Sequence, residues 1–277
     1  MRTTLLILAL AGTLFAQQRP AAPSSVRLYI LDCGIIVAMN PESYDLRPNE
    51  IKGPLDFITP CYLVVHPKGT LMWDVGQIAD STMPATGPGS QGPFRVNQKL
   101  MPQLQKLGYR PADITYLAMS HYHSDHSANA NEFAGSTWIV QESERAAMFV
   151  EPPPRMAPVA QYSKLKDAKT IVVKNTDHDV FGDGTVVLKF APGHTPGHQM
   201  LFLKFAKTGP ILLAGDLYHY PEERTLDRVP TFDTNRDQTR ETRKKTEDFL
   251  KASGATMWIQ HDMVLHEKLK KAPDFIE

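Results

Sequence analysis

His121-Tyr122-His123-Ser124-Asp125-His126 places three imidazoles and a carboxylate within six residues. The stretch follows the apolar run Ile114-Thr115-Tyr116-Leu117-Ala118-Met119, which reads as a buried strand. A strand that ends in such a cluster presents a metal-binding loop. A solvated polar turn would explain one histidine, and explains four ligand-type side chains poorly. Neutral imidazole nitrogen and carboxylate oxygen suit zinc and its first-row neighbours, whereas calcium and magnesium prefer oxygen alone.

Three more ligand-type residues repeat this placing. Val186-Val187-Leu188-Lys189-Phe190 leads to His194, Ile211-Leu212-Leu213 leads to Asp216, and Met257-Trp258-Ile259 leads to His261. If these strands run in compatible directions, their polar tips meet at one edge of the sheets, where sites are commonly built. Further strands are expected at residues 26–36, 137–140, 171–173, 184–190, 200–205 and 256–259. A hairpin is expected from 61–65 to 71–73, and helices over 97–107, 125–133, 142–149 and 236–251. The alternation falls into two β-rich halves. It predicts an α+β chain of two sheets packed face to face with helices outside, as one domain over 17–277. Asp74, at the close of the hairpin, is either a turn former or an acceptor that orients a ligand histidine.

The chain has 277 residues, 42% apolar and 22% charged, enough to bury a full core. Its 30 basic and 30 acidic residues balance, so nucleic acid is not an expected partner. Residues 1–16 carry one arginine, a short apolar core and a small residue before Gln17, which reads as a secretory signal peptide. Leu14 is large for the third position before a cut, and an uncleaved anchor is the alternative. The apolar run is too short to span a bilayer, so the cleaved protein is expected to be exported, periplasmic or secreted, without stable membrane insertion. In such a compartment Cys33 and Cys61 form a bridge or remain two buried thiols.

The order His-x-His-x-Asp-His, Gly-His-Thr-Pro-Gly-His, Gly-Asp and His-Asp, at residues 121–126, 193–198, 215–216 and 261–262, resembles the metallo-β-lactamase superfamily. Within it the pattern is most similar to the N-acyl homoserine lactonase group. The resemblance implies a four-layer αβ/βα sandwich with two divalent metals at its edge, usually zinc, with manganese, iron or cobalt possible. One metal would take His121, His123 and His194. The other would take Asp125, His126 and His261, with Asp216 bridging. Two such ions can share a hydroxide and polarise the carbonyl that it attacks.

The family pattern also implies a catalytic group of Asp125, Asp216 and a hydroxyl donor three positions after the bridging aspartate. Here that position is His219, flanked by Tyr218 and Tyr220, so Tyr218 or His219 is the candidate donor and packing of Tyr218 is the alternative. His198 is expected to orient a ligand or cap a strand, Asp262 to orient an imidazole or cap a turn, and His66, His178 and His266 to be structural or solvent-facing. Residues 77–95, 150–162 and 220–236 are expected as loop walls above the metals, with Met83, Phe94, Met156 and Phe232 as apolar contacts.

The expected reaction is opening of a lactone, a quorum-quenching activity on a small molecule. A thioester or other acyl ester is the second substrate, as in glyoxalase II, but only Met263 to Glu277 follow the last ligand motif, so the helical glutathione-binding extension is not expected. A β-lactamase is a third reading, and a metal-binding module without turnover is the non-enzyme one. The oligomeric state stays open, a dimer included.

Overall fold

The computed structural model describes residues 20–277. The expected signal peptide at 1–16 lies outside them. One sheet contains β1 (Arg27–Ile36), β2 (Phe57–His66), β3 (Gly69–Trp73), β4 (Gly89–Gln91), β5 (Phe94–Val96), β6 (Tyr116–Ala118), β7 (Thr137–Gln141) and β8 (Thr170–Val173). Its strand order is β4-β5-β1-β2-β3-β6-β7-β8. The other contains β9 (His178–Asp179), β10 (Val186–Phe190), β11 (Gln199–Phe205), β12 (Gly209–Leu213) and β13 (Thr256–Trp258), in the order β13-β12-β11-β10-β9. The helices are α1 (Leu100–Lys106), α2 (Ser124–Ser127), α3 (Glu142–Met148), α4 (Val159–Tyr162), α5 (Pro221–Leu226), α6 (Arg236–Ser253) and α7 (Met263–Glu267).

The packing is four-layered because each sheet buries both faces. Leu28, Ile30, Tyr62, Leu71 and Trp73 of the first sheet meet Leu188, Leu201, Leu203, Ile211 and Leu213 of the second. On the outer face of the first sheet, Leu63, Met72, Leu117 and Trp138 pack against Leu100, Leu104, Phe133 and Met148. On that of the second, Met200 and Leu212 pack with Leu250 of α6. Truncating a fully buried leucine of the inter-sheet layer would cost about 2–5 kcal/mol.

Connection rules place the strand ends. β3 pairs β6 in parallel, β6 pairs β7 in parallel, and β12 pairs β13 in parallel. Parallel neighbours finish at the same edge, so β6, β12 and β13 deliver their following residues together. The disulfide Cys33–Cys61 joins β1 to β2 with a Cα separation of 5.7 Å, which resolves the thiol alternatives.

Some boundaries differ from the sequence expectation. Segment 77–95 is not one loop, since β4 and β5 form an antiparallel edge hairpin within and just beyond it. α1 starts at Leu100 because Asp80, twenty residues earlier, accepts from Leu100 N and Met101 N at 2.9 and 2.8 Å. The helix expected over 125–133 is two pieces, α2 and a 3₁₀ turn at Ala130–Phe133, and α4 and α5 fall in the other two expected loops.

Candidate metal centre

Four polar tips converge at the edge where β6, β10, β12 and β13 end. His121 Nε2, His123 Nδ1 and His194 Nε2 form one face: His194 Nε2 lies 3.2 Å from His121 Nε2 and 3.1 Å from His123 Nδ1. Three nitrogens this close cannot all be joined by hydrogen bonds, because each neutral imidazole carries one N–H. The spacing is what a tetrahedral ion with N–metal bonds of about 2.0–2.1 Å would impose. Asp216 Oδ2 completes this group at 3.5 Å from His121 Nε2 and 3.4 Å from His194 Nε2.

The second group uses the other oxygen of the same carboxylate. Asp216 Oδ1 lies 3.2 Å from His126 Nε2 and 3.0 Å from His261 Nε2, and Asp125 Oδ2 lies 3.3 and 3.7 Å from the same two nitrogens. His126 Nε2 is buried without a hydrogen-bond partner, as a nitrogen reserved for a cation would be. The seven residues anticipated as ligands thus form two groups, each with its ligand atoms within 4.8 Å of one another. This donor set fits two divalent ions.

The reverse side of four of the five imidazoles is held by a hydrogen bond. His126 Nδ1 is 2.9 Å from Asp74 Oδ2, and Asp74 also accepts from Ser120 N, Ser120 Oγ and Gln260 Nε2. Asp74 is therefore the orienting acceptor, and with φ of 53° it also makes the turn. His194 Nδ1 is 2.8 Å from Asp233 Oδ1, whose Oδ2 accepts from Thr239 Oγ1. His261 Nδ1 points to Ile58 O at 2.8 Å, and His121 Nδ1 to Ser120 Oγ at 3.0 Å. Such partners fix the ring and the tautomer of a ligand histidine.

His198 donates through Nδ1 to Ala191 O and accepts the Asp216 N–H through Nε2 at 2.9 Å, so it positions the shared aspartate. The approach requires glycine before it: at Gly215, with φ of +53°, a Cβ would sit 2.6 Å from His198 Nε2. Burial opposes the charge of Asp125 and of Asp216, yet the imidazoles of His126 and His261 hold both carboxyls below their ordinary range. Both remain anionic and able to bind a cation.

The other anticipated residues divide. His219 Nε2 lies 3.1 Å from Asp216 Oδ2 and its Nδ1 3.3 Å from Glu223 Oε1. Burial disfavours its charge, but the two carboxylates outweigh burial and push its pKa up to about 10. Tyr218 faces elsewhere. Its ring lies under the Arg243 guanidinium and its hydroxyl is 3.5 Å from Glu247 Oε1, so here the packing alternative describes its position. Asp262 caps α7 through Leu265 N. His66 and His266 are buried, against Asp183 and Tyr62 respectively.

A cavity of about 240 Å³ opens beside His219 and His261, lined by Pro54, Phe57, Tyr220, Met263 and Val264 with Lys52 and Glu222 at its polar side. Of the three expected loop walls only 220–236 lines it. Residues 52–57 and 261–264 supply the rest. Met83 is buried against Ile78 and Val96, with Phe94 packed on the same cluster. Met156 is exposed, and Phe232 alone of the four anticipated contacts packs on site residues, 5.8 Å from the rings of His194 and of His219.

Sequence reading also passed over Tyr44. Its buried ring lies tilted, 4.8 Å from that of His219. Burial and then the Glu223 and Asp216 carboxylates raise its pKa well above the ordinary value.

Residues 55–256 match the metallo-beta-lactamase superfamily. The chain belongs to that superfamily. It is 28% identical over 270 residues to the protein named N-acyl homoserine lactonase AttM of Azorhizobium caulinodans, covering 92% of this chain and 100% of the relative. Its fold matches a solved quorum-quenching N-acyl homoserine lactone lactonase with a TM-score of 0.73 at 24% identity, covering 90% of this chain and 98% of the other. It also matches AidC, described as a dizinc quorum-quenching lactonase, with a TM-score of 0.66 at 21% identity over 90% of this chain and 92% of the other. The family's four-layer architecture agrees with the layers described above.

Proposed function

We propose that the protein is a metal-dependent hydrolase that opens the ring of an N-acyl homoserine lactone. The observation that carries this reading is Asp216, whose two oxygens face two separate histidine groups. The lactonase names of its relatives supply the substrate class. His121, His123 and His194 would hold one divalent ion, Asp125, His126 and His261 the other, and Asp216 both. Nitrogen-rich donors favour zinc, and the dizinc description of AidC agrees.

When bound, paired divalent ions supply a water of lowered pKa and polarise the substrate carbonyl. The protein's own groups do the rest. Asp74, Asp233 and Ser120 hold the imidazoles in one tautomer. His219, pinned between Asp216 and Glu223, fixes the rotamer of the shared carboxylate. We assign Asp125 Oδ1 to accept the proton given up by the attacking water and to pass it to the leaving alkoxide, so that the carboxylate ends the cycle anionic as it began. We assign the Tyr44 hydroxyl, on a ring packed beside His219, to donate to the carbonyl oxygen as charge develops. The cavity walled by Pro54, Phe57, Met263 and Val264 would receive the acyl chain.

The test is proton release by the zinc-loaded protein on an N-acyl homoserine lactone, with a thioester and a cephalosporin alongside. Turnover of the lactone alone supports the reading, and turnover of the thioester or lactam alone overturns it while leaving the fold and donor set intact. We also propose export, which the Cys33–Cys61 disulfide supports. Recovery of the protein in the cytosolic fraction with both thiols reduced would contradict it.

A further inference from the structure

Glu144 lies outside every ligand motif, yet its carboxylate joins the two loops that carry the three-histidine group. Its Oε1 accepts from Tyr122 N at 2.9 Å. Its Oε2 accepts from Thr195 Oγ1 and from Gly197 N, both at 2.8 Å. Tyr122 stands between His121 and His123, and Thr195 follows His194 directly. The side chain is 3% exposed, in the first turn of α3.

The loops are also pressed onto α3 in other ways. A Cβ at Gly197 would lie 2.4 Å from Glu144 N, so residue 197 must be glycine for the loop to reach the carboxylate. Ser143 Oγ donates to Pro196 O at 2.8 Å. Burial of an anion is costly unless donors replace its water, and three donors meet Glu144 here. None of its hydrogen bonds reaches Asp125, His126 or His261; His126 is held by Asp74, which in turn accepts from Gln260, and His261 is held by Ile58 O.

We propose that Glu144 is a positioning residue that sets the spacing of His121, His123 and His194, and so controls metal affinity in that group and not in the other. The inference rests on the two-metal reading of the site and makes no use of the substrate assignment. Glu144→Gln tests it with little change in volume. The amide oxygen can still accept from Thr195 and Gly197, but the amide NH₂ then faces the N–H of Tyr122, and two donors repel.

The experiment is competition for zinc against a chromophoric chelator, on protein first stripped of metal. It is run in two backgrounds: His261→Ala, which leaves the three-histidine group as the intact one, and His194→Ala, which leaves the other. We expect Glu144→Gln to weaken zinc binding about tenfold or more in the first background, in line with the loss of other orienting partners, and less than about twofold in the second. Equal weakening in both backgrounds, or in neither, overturns the proposal, because a merely structural carboxylate would not discriminate.

Should Glu144→Gln not fold, as judged by near-ultraviolet circular dichroism, Glu144→Asp is measured in its place. Its shorter side chain reaches only one loop at a time, and the same selective loss is expected. Absence of zinc binding by the unaltered protein would instead defeat the two-metal reading itself.

Discussion

The two halves of the candidate metal centre are built differently although they share Asp216. The first half is three imidazoles on two loops, 121–123 and 193–197, held from outside by Asp233 and Glu144, with only His121 also against Ser120 on the core side. The second half is two imidazoles and an additional carboxylate, held from the core side by Asp74, which accepts from Ser120 and Gln260. Asp125 is also the open member, with a side chain 14% exposed against 4% for Asp216. The first half is thus nitrogen-rich, closed and tunable through loops. The second is richer in oxygen, more open, and rooted in the sandwich, a composition more tolerant of harder ions.

The largest effect should come from the residue that the halves share. Asp216→Asn is expected to lose at least one metal and to reduce lactone turnover by more than about 100-fold, beyond the range for orienting groups, as read by elemental analysis and initial rates. Full activity with two metals retained would break the comparison at its root. Next, His194→Ala should empty the first half, whereas Asp125→Asn should leave zinc there and weaken only the second. Cobalt substitution followed by visible absorption separates these outcomes, since a tetrahedral nitrogen-rich ion absorbs far more strongly.

Smaller effects distinguish the supports. Asp233→Asn and Asp74→Asn are each expected to weaken metal binding about 10–100-fold in their own half. Asp74→Asn should also lower the stability of the metal-free protein by about 2 kcal/mol more, because its buried carboxylate accepts several hydrogen bonds that tie β3 to the residues after β6 and β13. Equal melting temperatures for the two variants would remove the distinction between loop-held and core-held halves.

The smallest effect concerns the dry core behind the second half. His266 lies 3.2 Å from the Tyr62 hydroxyl, and burial, with the nearby Lys271 and His261, pushes its pKa down to about 3. The unfolded chain, with an ordinary imidazole, binds the proton more tightly, so stability is full above about pH 6.5 and falls as pH drops toward 3. Relative to His266→Gln, the metal-free protein should lose about 2 kcal/mol between pH 6.5 and 5, seen in urea melts. A flat difference would mean that water reaches this wall.

What was legible in the sequence follows from how local each device is. The ligands could be read because each follows an apolar run and carries an unmistakable donor. Asp74 was half legible, as a carboxylate at a strand end serves a turn equally well. Asp233 and Glu144 were not legible, since each reaches its loop from a distant segment with no pattern of its own. β4 and β5 are three residues each in a segment rich in glycine, proline and serine, too short to show alternation. Tyr218 was half legible, since adjacent side chains leave the chain on opposite sides, here His219 toward Asp216 and Tyr218 under Arg243, and sequence does not say which faces the site.

The edge position of the ligands has a consequence for the economy of the whole fold. Residues 121–126 and Asp74 extend from the first sheet, and Asp216 and His261 from the second, so an ion bound at Asp216 is a rivet through both. A rivet of this kind is only as strong as the surroundings permit: free metal at about 1,000 times its dissociation constant would add about 4 kcal/mol, and scarcity would remove it. Resistance to heat and proteolysis should therefore track the metal supply of the compartment in which the protein resides.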